Sequence, residues 1–247
     1  MIDVPQAYVE TRGALAALVR DLPPDRLAVT VPASPDWIVR DVVAHVAGLA
    51  ADFAEGSVPP GFDLIQALND PGQAAVREAI TAREVSERKN RPVGEILAEW
   101  DRVSENLLPM LRDERPLPGS IQPGLAGIVL VTDLATHAQD VRGALDAAGD
   151  RDSAGVSVAF ASYAAALGFK LAMNGLPALR LRYGDRERLA GDGAPAATLT
   201  GDRFELYRAL AGRRSSGQIR SMRWEGDAEP YVDLIPAYGP RSDPLVE

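Results

Sequence analysis

The chain contains no cysteine. Disulfides, zinc–thiolate sites, iron–sulfur clusters and a cysteine nucleophile are therefore excluded, and the absence fits a reducing compartment. Lysine is almost missing too: of 26 basic residues only Lys89 and Lys170 are lysines. With so much alanine, that points to GC-rich coding rather than to mechanism. Histidine occurs only twice, at His45 and His137. No apolar run is read as long enough for a membrane span. The opening MIDVPQAYVE lacks the basic start and apolar stretch of a signal peptide. The expectation is a soluble, cytoplasmic protein without a membrane partner.

What is present is an ordinary globular composition. Its 247 residues are 46% hydrophobic and 25% charged, enough for one large domain or two small ones with a real core. The net charge of −9 argues against a general nucleic-acid binder, which needs a basic face. The charge is uneven: residues 1–150 hold 23 acids against 13 bases, and residues 151–247 hold 12 against 13. That shift suggests a boundary near 150.

Helical periodicity runs over residues 5–21, ended by Asp21-Leu22-Pro23-Pro24, and residues 25–33 read as an extended link. Ser34-Pro35-Asp36-Trp37 carries the marks of a helix start: an N-cap serine, a proline at the first position and an early acid. The helix it predicts runs to Gly56, with Ile38, Val42, His45, Leu49 and Phe53 on its inner stripe. Residues 56–72 read as a long connection. A third helix is expected over 73–111, broken near Asn90-Arg91-Pro92, because proline disfavours helix in the residue before it. Residues 112–123 form a loop and a fourth helix spans 124–148. Four amphipathic helices in about 150 residues favour a four-helix bundle. After a hinge at 149–153 and a helix over 154–173, Leu179–Tyr183, Thr198–Thr200, Ile219–Trp224 and Tyr231–Ile235 read as strands. A helix capped at Gly201-Asp202 lies between them. Residues 151–247 thus read as a small α+β domain.

Both histidines fall on inner helix faces. Asp133 precedes His137 by four residues, so the two side chains leave the same face of the fourth helix. If the second and fourth helices are neighbours, His45, Asp133 and His137 converge. Two imidazoles and a carboxylate suit zinc or a similar divalent cation and leave a coordination position open. A hydrogen-bonded core histidine is the competing reading, since 35 of 247 residues are acidic and the spacing arises by chance about one time in seven. Against it stands the cost of burying Asp133 without a partner. Asp140, three after His137, is placed either as an acceptor for a ligand ring N–H or as a solvated acid beside Arg142. Arg213, Arg214, Arg220 and Arg223 cluster late in the chain. Arg213 and Arg214 are candidates to hold an anionic substrate, with a solvated face as the alternative. G-x-S-x-G, P-loop, G-x-G-x-x-G and H-E-x-x-H motifs are absent.

The segment from Ser34 to Gly48 resembles the W-x-x-x-D-x-x-x-H-x-x-G opening of the DinB-like superfamily, and most closely the mycothiol-dependent maleylpyruvate isomerase family. Asp133 to Arg142 is similar to that family's second metal motif, D/E-x-x-x-H-x-x-D-[IV]-R, and the stretch from Gly201 to Arg214 to its sterol-carrier-like C-terminal domain. The resemblance implies a DinB-like metal-binding four-helix bundle over 1–150 with an α+β domain over 151–247. It implies His45, Asp133 and His137 as ligands of a divalent metal, usually zinc. Aspartate at 133 stands where the best-known isomerase has glutamate. The implied partners are mycothiol or a similar small thiol and a small electrophilic substrate, joined by isomerisation or S-transfer. The lack of cysteine suits this, because the sulfur must come from outside. Bundles of this type often dimerise. The alternatives are a small-ligand-binding module with a structural or absent metal, and a hydrolase using metal-bound hydroxide.

Overall fold

The computed structural model describes residues 2–59, 71–119 and 121–247. Two compact units divide the chain, Met1–Val158 and Ala159–Glu247. Most of the long connection expected over 56–72 lies outside the described residues.

In the first unit α1 (Val4–Val19) is capped by Asp3, whose carboxylate accepts from the Gln6 backbone N–H at 3.0 Å. A single turn, α2 (Pro24–Leu27), precedes a two-stranded antiparallel ribbon, β1 (Thr30–Val31) and β2 (Ser34–Ile38). Here the expected helix start is corrected: Ser34 to Ile38 are strand. The helix α3 (Val39–Glu55) begins five residues later than its apparent cap. Asp41 takes the capping role, its carboxylate accepting from the Ile38 N–H at 3.3 Å. Pro35 fits an edge strand as well as a helix entry, and the ribbon puts Trp37 where a helix would not. At the other end Gly56 takes φ +72°, the left-handed conformation that closes helices at glycine.

α3 is buried almost all round, from Val39, Val42 and Val43 through Ala47, Ala50 and Phe53, so a single inner stripe understates it. Its neighbours explain why: it packs against α4 (Pro71–Arg88), α5 (Val93–Leu111) and α6 (Pro123–Leu145). The break expected near Pro92 separates α4 from α5. α1 packs on α6 and α5, where the fully buried Trp100 donates to the Tyr8 hydroxyl at 3.0 Å and that hydroxyl lies 3.0 Å from Ser104 Oγ.

α7 (Ala154–Met173) runs from the first unit into the second. By length and composition it is apolar enough to cross a membrane, which corrects the reading that no run reaches that length. Its burial is that of a core helix. Val156 and Val158 are buried, as are Phe160, Tyr163, Leu167 and Leu171, and its one charge, Lys170, donates to the Pro236 carbonyl at 2.8 Å.

The second unit is built on a four-stranded sheet ordered β4-β3-β5-β6: β3 (Leu179–Tyr183), β4 (Arg186–Ala190), β5 (Ala197–Thr200) and β6 (Arg223–Glu225). β3 pairs antiparallel with β4 and parallel with β5, and β5 pairs antiparallel with β6. α8 (Arg203–Leu210) starts at the Asp202 cap, as expected. Two strand expectations are corrected. Residues 216–221 form α9 (Ser216–Ser221), closed by a reciprocal Ser215–Gln218 capping box, so only 223–225 are strand. Tyr231 opens no strand but lies in α10 (Glu229–Val232). Strand β4 escaped the pattern because four of its five residues are exposed. Helices in the first unit and a small sheet with helices in the second make the chain a two-part α and α+β protein.

Candidate metal centre

The site is assembled from three elements of the first unit. α3 carries His45, α6 carries Asp133 and His137 one turn apart, and β2 lays Trp37 across both imidazoles. His45 and His137 are buried, with ring centroids 5.0 Å apart and nearly perpendicular planes. The Trp37 ring centre is 5.1 Å from His45 and 5.6 Å from His137. Asp133 lies between them: its Oδ2 is 3.2 Å from His45 Nε2 and its Oδ1 is 3.7 Å from His137 Nε2.

These separations suit a cation. Ligands about 2.0–2.2 Å from a tetrahedral ion stand about 3.4 Å from one another. One nitrogen from each histidine and one Asp133 oxygen all fall within 4.8 Å of one another. Each outer ring nitrogen faces a buried carboxylate. His137 Nδ1 is 3.1 Å from Asp140 Oδ2, and Asp140 is only 1% exposed, so it is no solvated acid. His45 Nδ1 is 2.6 Å from Glu84 Oε2 on α4. Carboxylates at these positions fix ring tautomer and orientation in metal centres.

Glu84 was not singled out in the sequence. It is fully buried, yet α4 is polar on average, and nothing local separates Glu84 from the exposed Glu78 and Glu87. The electrostatics follow from this crowding. Burial alone would lower the pKa of His45, but Asp133 and Glu84 more than offset it and raise it to about 10. Burial raises the pKa of Glu84, to about 6, against the pull of His45. In the metal-free protein the two carboxylates thus favour the charged form of His45.

The two late arginines lie in the second unit. Arg214 is buried, with its fork on Glu205 at 2.8 and 2.9 Å and a further contact to Glu247 at 3.2 Å. Arg213 is half-buried and donates to the Ala211 carbonyl at 2.9 Å. Arg220 pairs with Glu229 at 2.9 Å.

A helical unit brings together two imidazoles and a carboxylate that could hold a metal ion. Residues 9–142 match the profile described as the mycothiol maleylpyruvate isomerase N-terminal domain. The match spans more than half of the chain, and the chain belongs to that family. Its fold is similar to the crystal structure of a histidine-to-alanine mutant of the mycothiol-dependent maleylpyruvate isomerase. That similarity has a TM-score of 0.59 at 13% identity, covering 90% of this chain and 91% of that one. A second crystal structure of the mycothiol-dependent maleylpyruvate isomerase matches at TM-score 0.50 and 14% identity, over 85% of this chain and 88% of the other. No curated protein matches the chain.

Proposed function

We propose that the chain is a metal-dependent enzyme that activates mycothiol, or a similar low-molecular-weight thiol, for isomerisation of a small electrophilic substrate or S-transfer to it. His45, Asp133 and His137 would hold one divalent cation, zinc being the first candidate. The observation that carries the reading is the convergence of these three donors in a member of this family that has no cysteine of its own. When bound, such a cation supplies the positive charge that keeps a thiol ionised at neutral pH. The chain's own residues do the rest. Glu84 bonds His45 from behind, Asp140 stands 3.1 Å behind His137 Nδ1, and Trp37 gives the site an apolar wall that limits water.

In the same reading residues 1–150 form a DinB-like four-helix bundle and residues 151–247 a sterol-carrier-like α+β domain. A cytoplasmic location and a homodimer belong to it as well. Arg213 is retained as a contact for an anionic substrate. Arg214 is better explained by the carboxylates that already fill its fork.

Elemental analysis of the purified protein, followed by assay with mycothiol and maleylpyruvate or other electrophiles, tests the reading. The expected result is one cation per chain and turnover that requires the thiol. Failure to bind any divalent cation on titration, or turnover without thiol, overturns it. A second measurement uses Trp37. Cobalt(II) is expected to quench part of the tryptophan emission, and the Trp37→Phe variant to lose that response, since Trp37 lies 5.1 and 5.6 Å from the two imidazoles.

A further inference from the structure

A carboxylate with no exposed surface needs an explanation, and Glu84 is one. Its Oε2 meets His45 Nδ1 at 2.6 Å, whereas its Oε1 is buried with no hydrogen-bond partner among the described residues. Leaving a charged oxygen so is expensive. A purely structural acid would be expected to take the cation beside it. Arg88, one turn further on α4, is buried and near, but its guanidinium goes elsewhere. Nη1 donates to the Glu84 backbone carbonyl at 3.0 Å and Nη2 to Glu99 at 2.6 Å. The Glu84 carboxylate is thus left facing the imidazole.

The second observation lies on the opposite helix. Gly48 is one turn after His45 on α3, and α4 passes directly over it. A Cβ on Gly48 would stand 2.6 Å from the Glu84 Cβ and 2.9 Å from Arg88 Nη1. The first distance is shorter than real Cβ contacts allow, so any side chain at 48 pushes α4, and Glu84 with it, away from His45. Gly48 is needed for proximity here.

We propose that Glu84 is a positioning residue which, admitted by Gly48, locks His45 with Nδ1 protonated and Nε2 turned toward Asp133 and His137. Glu84 is not itself a ligand of that centre, because it sits at the opposite nitrogen of the His45 ring from Asp133. The inference rests on the metal centre proposed above and adds the residue that orients it. Outer carboxylates of this kind are worth about 10–100-fold in metal affinity.

The test measures zinc affinity of the full chain by chelator competition in the wild type, Glu84→Gln, Glu84→Met and Gly48→Ala. The His45 Nδ1–H resonance of the zinc-loaded proteins is followed by NMR. Methionine keeps the volume and removes the acceptor, while glutamine keeps an acceptor and removes the charge. The expected result is affinity about 100-fold weaker for Glu84→Met and for Gly48→Ala, and about 10-fold weaker for Glu84→Gln. The Nδ1–H resonance should persist in Glu84→Gln and vanish in Glu84→Met, a change that a merely structural acid would not produce. If Glu84→Met does not fold, the Glu84→Gln affinity and the Gly48→Ala resonance decide. Wild-type affinity in the Glu84 variants, or an unchanged Nδ1–H signal in Glu84→Met or Gly48→Ala, overturns the inference while leaving the metal centre standing. Absence of zinc binding by the wild type overturns both.

Discussion

His137→Ala is expected to weaken divalent-cation binding by about 10²–10³-fold. Four-ligand zinc sites gain roughly 10–16 kcal/mol from binding, or about 2.5–4 kcal/mol per ligand. In the proposed centre only three protein groups would contribute, so losing one removes a large share. The same variant should lose cation-dependent thermal stabilisation, which for the wild type amounts to about 2.7 kcal/mol at a hundredfold excess over Kd. Calorimetric titration and melting curves with and without zinc read both effects. An unchanged affinity would mean that the ion, if bound, lies elsewhere. The wild-type titration should also depend on pH. The cation must displace a proton from His45, whose pKa is raised to about 10, so affinity climbs with pH, by up to about tenfold per unit, until that value is reached. The metal-free protein runs the other way. The stabilisation from a histidine with a raised pKa is complete below its unfolded value near 6.5 and fades as pH rises through about 10. Opposite slopes for affinity and for metal-free stability over pH 7–9 are a signature that an isolated surface histidine would not give.

The second large effect concerns packing. Trp100→Ala is expected to destabilise the first unit by about 3–5 kcal/mol, lowering Tm by roughly 6–20 °C. Trp100 is fully buried between α5 and α1. Its removal leaves a cavity and takes the indole donor from the Tyr8 hydroxyl. It also removes the ring face over which the Arg12 guanidinium lies, 5.9 Å from the ring centre. Trp100→Phe, which restores most of the volume but not the donor, should recover more than half of the loss. Chemical denaturation followed by circular dichroism measures both, and a loss below about 1 kcal/mol for alanine would mean that the helices repack around the gap.

The legible parts of the molecule were those in which one helix carries the whole pattern. Asp133, His137 and Asp140 share a face of α6, so their spacing was enough to group them before any coordinates. The opening motif shows the limits of such reading. Trp37, Asp41, His45 and Gly48 stood out together, but their jobs differ. Trp37 reaches the imidazoles from a strand, Asp41 caps the helix entry, His45 faces the centre, and Gly48 makes room for α4. The proline and serine before Trp37 suggested a helix because they satisfy its local rules, and pairing with β1 overrode them. Glu84 was invisible because its partner is 39 residues away on another helix, and one of three glutamates on a polar helix carries no local mark. Ser215 and Gln218 did carry a readable cap, which the apolar residues after them obscured.

The outer strands of the small sheet have one more consequence. β4 presents Arg186, Glu187 and Arg188 to solvent, and β6 is three residues long with Arg223 and Glu225 exposed. Unpaired backbone along such margins can recruit a strand from another molecule, the first step toward fibrils. Alternating charges on one flank and brevity on the other make that recruitment costly, so the protein should tolerate high concentration without its sheets adding to one another.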